Sequence, residues 1–313
     1  MTTADNSGLV IWTMGHQARI LIGEERFHLP IPGKWRLKLK GNRPLAPGDR
    51  VSVILDQDGW RLIERLPRRN EFTRRFPGNQ RSIPQVMAAN LDLVIVVASV
   101  KAPRTATGLI DRLLVAAALG EVPAMLVINK TDLTTEKKLA ELEKLYQNAV
   151  EKVILTNAIT GDNLEPIREI IIGKTVLLAG PSGTGKSTIA NYIDPKLNIK
   201  VGEISQATGK GKHTTTTAEL HAVEGGGWLT DTPGLRECGP YGKTTENLGS
   251  CFPEMKPFIG DCRFRDCVHH HEIGCDVTAA LARGEIPVKR YESYLKMLDE
   301  AIEENKPEQY KKT

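Results

Sequence analysis

The chain is poor in what secreted, membrane-spanning and fibrous proteins require. Its 313 residues include five cysteines, and none of them precedes Cys238. An odd set gathered at one end argues against a disulfide framework and leaves metal ligation or free thiols. The longest uninterrupted apolar run, Leu113 to Leu119, falls far short of the roughly 20 residues that a membrane helix needs. The opening residues, Met-Thr-Thr-Ala-Asp-Asn-Ser, carry neither a basic leader nor an apolar stretch. No secretory signal is visible, and a cytoplasmic location with no membrane partner is expected. No internal repeat or low-complexity tract is present, which excludes solenoid and collagen-like architectures.

What remains is an ordinary globular composition, 40% hydrophobic and 26% charged, at a length suited to about two domains. The net charge of +4 is uninformative, but its distribution is not. Lys34 to Arg81 holds 13 Lys/Arg against 5 Asp/Glu, the footprint expected of a polyanion contact, with a merely solvated basic surface as the other reading. Residues 8–66 read as short strands punctuated by Gly and Pro, among them Val51–Leu55 and Trp60–Ile63. The stretch Trp35-Arg-Leu-Lys-Leu-Lys40 alternates apolar and basic residues and is expected to be a strand with Arg36, Lys38 and Lys40 on one face. Short strands with a basic face predict an N-terminal OB-type β-barrel. From about residue 90 the pattern changes to apolar strands alternating with helices, which predicts a doubly wound α/β domain. A loop-rich Cys/His segment and a helix from about Pro287 to Glu304 follow. Tyr291, Tyr294, Leu295 and Leu298 on that helix are expected to pack within the chain.

Gly180-Pro181-Ser182-Gly183-Thr184-Gly185-Lys186-Ser187, extended by Thr188, fits the phosphate-binding loop G-x-x-x-x-G-K-[ST], with an apolar strand entering and a helix leaving. Such a loop brings backbone N–H groups to phosphate oxygens, Lys186 neutralises the β and γ phosphates, and Ser187 ligates Mg2+. Asn129-Lys130-Thr131-Asp132 ends a buried strand. The Asp132 carboxylate can accept from both guanine donors, a pair that adenine does not offer, so GTP is favoured over ATP. Thr156-Asn157-Ala158, after the next strand, could place a backbone N–H on the guanine carbonyl. Asp231-Thr-Pro-Gly234 supplies a second Mg2+ group in Asp231 and a γ-phosphate contact at Gly234. The polar segment Gly209 to Thr217 suits a nucleotide-ordered switch loop, with Thr215 as its Mg2+ ligand; an edge strand is the alternative. A conventional GTPase carries its phosphate loop first. Here the base motif comes first, so the domain is circularly permuted.

On these motifs and their order the chain resembles the bacterial small-ribosomal-subunit-dependent GTPase A family (RsgA/YjeQ). The similarity extends over nearly the whole length and includes Gly211-Lys-His213-Thr-Thr-Thr216 and the Cys/His spacing. It implies an OB-fold RNA-binding domain at 1–78, a circularly permuted P-loop GTPase domain at 79–237 and an α-helical zinc-binding domain at 238–313. It also implies a monomer that hydrolyses GTP when stimulated by the small ribosomal subunit during late maturation. Arg36, Lys38, Lys40, Arg43, Arg68, Arg69, Arg74 and Arg75 would then meet rRNA phosphates. Cys262-x4-Cys267-x-His269-x5-Cys275 is the Cys3His set of a closed structural zinc site, and the family spacing selects His269 over His270 and His271. Leu235 follows Gly234 where many GTPases place a water-orienting glutamine, which leaves His213 as the candidate catalytic group beside Lys186. A solvated loop histidine is the alternative for His213. An rRNA-binding assembly protein that GTP regulates, with negligible turnover of its own, is the alternative for the whole chain.

Overall fold

The computed structural model describes residues 7–38, 44–75, 84–199, 218–231 and 239–305, without the side chains of 36–38, 231 and 305. The chain opens with β1 (Ser7–Met14), β2 (Gln17–Ile22) and β3 (Glu25–Pro30), then α1 (Gly33–Lys38), β4 (Arg50–Asp56) and β5 (Gly59–Arg65). These strands form one antiparallel sheet in the order β3-β2-β1-β4-β5, with β3 brought against β5. A five-stranded sheet rolled in this way, with a helix between β3 and β4, is an OB-type barrel. Val10, Ala18, Ile20, Leu45, Val51 and Val53 fill it.

Residues 35–38, the part of the expected strand that lies within the described residues, are helical and belong to α1. Pro30 and Pro32 interrupt the extended run, and the edge of β3 already faces β5, so a sixth strand would have no partner. Leu, Lys and Arg, which carry no branch at Cβ, favour helix instead, and Trp35 lies against the barrel core.

β6 (Glu71–Arg75) and β7 (Pro84–Ala89) form an antiparallel hairpin outside the barrel. The central domain follows: β8 (Leu93–Ser99), α2 (Thr107–Leu119), β9 (Ala124–Asn129), α3 (Glu136–Tyr146), β10 (Val153–Thr156), α4 (Glu165–Ile171), β11 (Thr175–Ala179), α5 (Lys186–Ile193), β12 (Leu220–Ala222) and β13 (Trp228–Asp231). Its sheet order is β10-β9-β8-β11-β13-β12, parallel except for β12. β8 shows why the strands are apolar throughout: Val94, Val96 and Ala98 face one core, Leu93, Ile95 and Val97 the other. The chain runs outward through β8, β9 and β10, then returns to the far side of β8 as β11. That reversal makes a crevice at the carboxyl ends of the strands.

β14 (Gly239–Pro240) pairs with β6, and α6 (Asp276–Ala282) and α7 (Val288–Asn305) complete the chain. Tyr291, Tyr294 and Leu298 of α7 are buried with Leu248, Phe252 and Val115 of α2, and Leu295 packs at the margin. The expected boundary after residue 78 thus falls between two strands of one small sheet, and that after 237 falls just before its third. Among the described residues, no helix is long and apolar enough to cross a membrane.

A buried ion cluster fastens the C-terminal part to the central domain. Arg290 of α7 donates to Asp111 of α2 (2.5 Å) and to Glu254 (2.6 Å), with its guanidinium over the rings of Phe252 and Tyr146. Nearby, Glu300 accepts from Arg112 (2.8 Å) and Lys243 (2.5 Å). Burial opposes ionisation of Glu300, but these two cations hold its carboxyl down at about 2.

Two outcomes follow from this junction. Arg290→Ala strands two buried carboxylates and should cost about 3–5 kcal/mol, read as a fall in the urea midpoint; an unchanged midpoint would show that the cluster contributes nothing. Because the Glu300 pKa is depressed on folding, its contribution is complete above its ordinary value near 4.5 and is lost as pH falls toward about 2. Glu300→Gln should flatten the acid loss of helical circular dichroism over that window.

Candidate functional site

The expected nucleotide motifs converge at the carboxyl ends of adjacent strands. Asn129 ends β9, in register with Ser99 of β8 and Thr156 of β10. Gly180 follows β11, and Asp231 ends β13 opposite Leu178 of β11. Asn129 is buried and links two loops. Its amide Nδ2 donates to the Thr184 carbonyl (2.8 Å), and its Oδ1 accepts from the Ala158 N–H (2.9 Å). The phosphate loop and the base loop are therefore fixed to one side chain.

Two glycines permit this approach. A Cβ on Gly180 would lie 2.2 Å from the Val97 carbonyl oxygen, and one on Gly185 would lie 2.1 Å from Asn129 Nδ2. Both also have positive φ, at 154° and 102°. Lys186 opens α5 and bends back to donate to the carbonyls of Gly180 (2.9 Å) and Pro181 (3.0 Å), while the Thr184 hydroxyl donates to Pro181 (3.0 Å). Ser182 and Gly183 form the outer turn of the loop, and Ser187 and Thr188 stand in the first turn of α5, half-buried.

On the base side, Lys130 takes up a left-handed conformation (φ 64°), and its ammonium donates to the Ala102 carbonyl. Thr131 donates to the Thr156 carbonyl (3.2 Å), and Asp132 projects exposed from a 3-10 turn. Asn157 accepts from Ile159 N–H (3.1 Å), which closes the turn carrying Ala158. The segment after β8 is a wall that sequence reasoning missed: Pro103 lies against Gly183, and Thr105 bonds back to Ser99. A proline after a buried strand was its only signal. His213, Thr215 and Gly234 lie outside the described residues, as does the Asp231 side chain.

Cys262, Cys267, His269 and Cys275 come together as expected, with their four ligand atoms within 4.8 Å of one another. Cys262 and Cys275 sulfurs are 3.9 Å apart, and His269 Nδ1 is 3.5 and 3.6 Å from them. These three separations form one face of a four-ligand group that, with Cys267, could hold one metal ion. Burial lowers the His269 pKa and so favours the neutral ring that ligation requires. Burial pushes the Cys267 thiol up to about 12, reinforced by Cys275 and Cys262, so its thiolate is favoured only beside a cation. Glu272 braces the loop by accepting from the N–H groups of Val268 (2.8 Å), His270 (2.8 Å) and His271 (3.1 Å). Tyr291 donates to the His269 carbonyl (2.7 Å), so the stripe on α7 also positions the ligand loop.

The basic residues are less free than their sequence suggests. Arg68 forks onto buried Asp49 (2.6 and 2.8 Å) and reaches Glu71 (2.7 Å). Arg69 pairs with Asp92 (2.5 Å), Arg74 with Gln85 (3.1 Å) and Arg75 with Glu304 (2.6 Å). Arg36 and Lys38 lie on α1 rather than along a strand face. Lys40 and Arg43 lie outside the described residues.

Residues 65–240 match the family model described as RsgA GTPase. The chain belongs to that family. Among RsgA relatives, it is 37% identical to the small ribosomal subunit biogenesis GTPase RsgA of Gemmatimonas aurantiaca over 96% of this chain and 99% of the relative. It is 38% identical to the RsgA 2 protein of Bacteroides thetaiotaomicron over 95% and 97% of the two chains. The crystal structure of YjeQ from Thermotoga maritima superposes with a TM-score of 0.73 at 34% identity, covering 95% and 98%. YloQ, a circularly permuted GTPase, superposes with a TM-score of 0.71 at 26% identity, covering 97% of each chain. The permuted order and the GTP-hydrolysing class read from the motifs are thus those of RsgA.

Asn129→Ala would leave the Thr184 carbonyl and the Ala158 N–H without their partner. The expected loss is about 2 kcal/mol or more in GDP binding, about 30-fold in Kd by titration calorimetry. Unaltered affinity would show that the two loops hold their places independently.

Proposed function

We propose that this RsgA-family GTPase binds the small ribosomal subunit, assists its late maturation and hydrolyses GTP faster when bound there. The observation that carries the proposal is the Asn129 bridge joining phosphate loop and base loop, in a chain that matches proteins named for small-subunit biogenesis over nearly its full length. Gly180 to Thr188 embrace the phosphates, with Lys186 balancing their charge as the bond to the γ-phosphate breaks. Asn129 to Asp132 and Thr156 to Ala158 receive the base, and the Asp132 carboxylate accepts from its N1–H and 2-amino groups. Ser187, Thr215 and Asp231 would hold Mg2+. The pairing of β11 with β13 supports this, since the loop that leads into α5 and the end of β13 follow neighbouring strands. Bound there, the ion supplies positive charge to the β and γ phosphates. Gly234 contacts the γ-phosphate, and His213 orients or deprotonates the attacking water.

The metal of the Cys3His set is zinc, one per chain, with a structural role. Zinc bonds of about 2.3 Å to sulfur and about 2.0 Å to nitrogen give tetrahedral edges of about 3.8 and 3.5 Å, matching the observed 3.9, 3.5 and 3.6 Å. The barrel and its neighbouring cations contact rRNA. Because Arg68, Arg69 and Arg75 each pair with a carboxylate of this chain, Arg36, Lys38, Lys40 and Arg43 carry more of that contact, with Arg74 and the more exposed Arg69 beside them. The protein acts as a cytoplasmic monomer.

GTP turnover should be measured alone, with purified small subunits, and with large subunits or naked rRNA at fixed salt. Selective stimulation by small subunits is the expected result, and His213→Ala should retain GTP binding while losing about 100-fold of the stimulated rate. Tight GTP-dependent subunit binding without faster turnover would replace this reading with that of a GTP-regulated assembly protein. Metal analysis should find one zinc per chain.

A further inference from the structure

The strand that follows the Thr-rich segment is fastened to the barrel as well as to the nucleotide domain. Glu219 stands two residues after Thr217 in the sequence. Its backbone bridges to Trp12 of β1, and its carboxylate accepts from Arg19 of β2 at 2.5 Å. Arg19 is held on three sides: its guanidinium lies 5.3 Å from the centre of the Trp12 ring, and its Nε donates to His28 of β3 at 3.2 Å. Below this pair, Leu220 of β12 is buried with Leu9 and Ile11 of β1, flanked by Leu21 and Trp228. One small core therefore belongs to both units. With its side chains only 26% and 28% exposed, the ion pair is less screened by salt than a surface pair.

A second junction lies at the turn before β4. There the Pro47 carbonyl accepts from Ala89 N–H (2.9 Å), and the Gly48 carbonyl accepts from Asn90 (2.8 Å). A barrel held at two separated places cannot turn about the second without moving β12 at the first. We infer that Arg19 and Glu219 couple what binds the barrel to turnover in the nucleotide site, by setting where the strand after Thr214–Thr217 begins. Arg19 is thus a positioning residue for stimulated hydrolysis and leaves basal chemistry alone. The inference rests on the proposed stimulation by small subunits. Linkage makes it reciprocal: a barrel held by polyanion favours one placement of β12, and the nucleotide state that favours that placement strengthens polyanion binding.

The test uses the full chain with GTP, alone and with saturating small subunits, for wild type, Arg19→Ala, Glu219→Gln and the exchanged pair Arg19→Glu with Glu219→Arg. Glu219→Gln keeps the side-chain shape and guards against loss of folding. Each single substitution should reduce the stimulation by about fivefold or more while basal kcat and KM for GTP stay within about twofold, and the exchange should restore it. Full stimulation in both single variants would overturn the coupling. So would a matching loss of basal turnover that the exchange does not repair. Absence of stimulation in the wild type would instead defeat the proposed function on which the coupling stands.

Discussion

The nucleotide pocket depends on a single buried amide. Asn129 donates to one loop and accepts from another, so the phosphate loop after β11 and the base loop after β10 are held in a common frame. The rest of the central domain serves that frame. Parallel registers bring Ser99, Asn129 and Thr156 to one level, and apolar strands covered on both faces keep those registers from slipping. The glycines at 180 and 185 are required because a side chain at either position would occupy the space of the Val97 carbonyl or of the Asn129 amide.

Permutation changes what lies around this frame without changing the frame itself. The base loops come first in the chain, so the described residues that follow α5 include strands that meet elements outside the central sheet. One is β12, docked on the barrel with Glu219 before it; another is β14, paired with the hairpin that joins barrel and central domain. α7 closes the far side through Arg290, and its tyrosines hold the carbonyls of the metal-ligand loop. The barrel and the Cys3His unit are thereby attached to the elements beside the nucleotide motifs.

Local chemistry was legible in the sequence, and long-range pairing was not. Leu93–Ser99, Ala124–Asn129 and Thr175–Ala179 announce buried parallel strands by their apolar character, the phosphate-loop and base motifs are contiguous, and the Cys3His group, with His269 chosen by the family spacing, comes together in the structure. The alternation at Trp35–Lys40 misled because a period of two over six residues cannot reveal that β3 already lies against β5. β14 is a two-residue strand, Gly-Pro, with no periodicity to find. The arginines at 68, 69 and 75 looked like a free basic face because their carboxylate partners lie between 3 and 229 residues away in sequence.

The central claim is that a guanine base is read by Asp132 beside the Asn129 frame. Competition binding of GDP, ADP and xanthosine diphosphate to wild type and Asp132→Asn tests it most directly. Xanthine replaces the 2-amino donor with a carbonyl, so the exposed carboxylate should prefer GDP and the amide should prefer the xanthine nucleotide. A reversal of preference, by about tenfold or more on each side, is the predicted result. An unchanged order in the variant, or wild type binding ADP as tightly as GDP, would contradict the account.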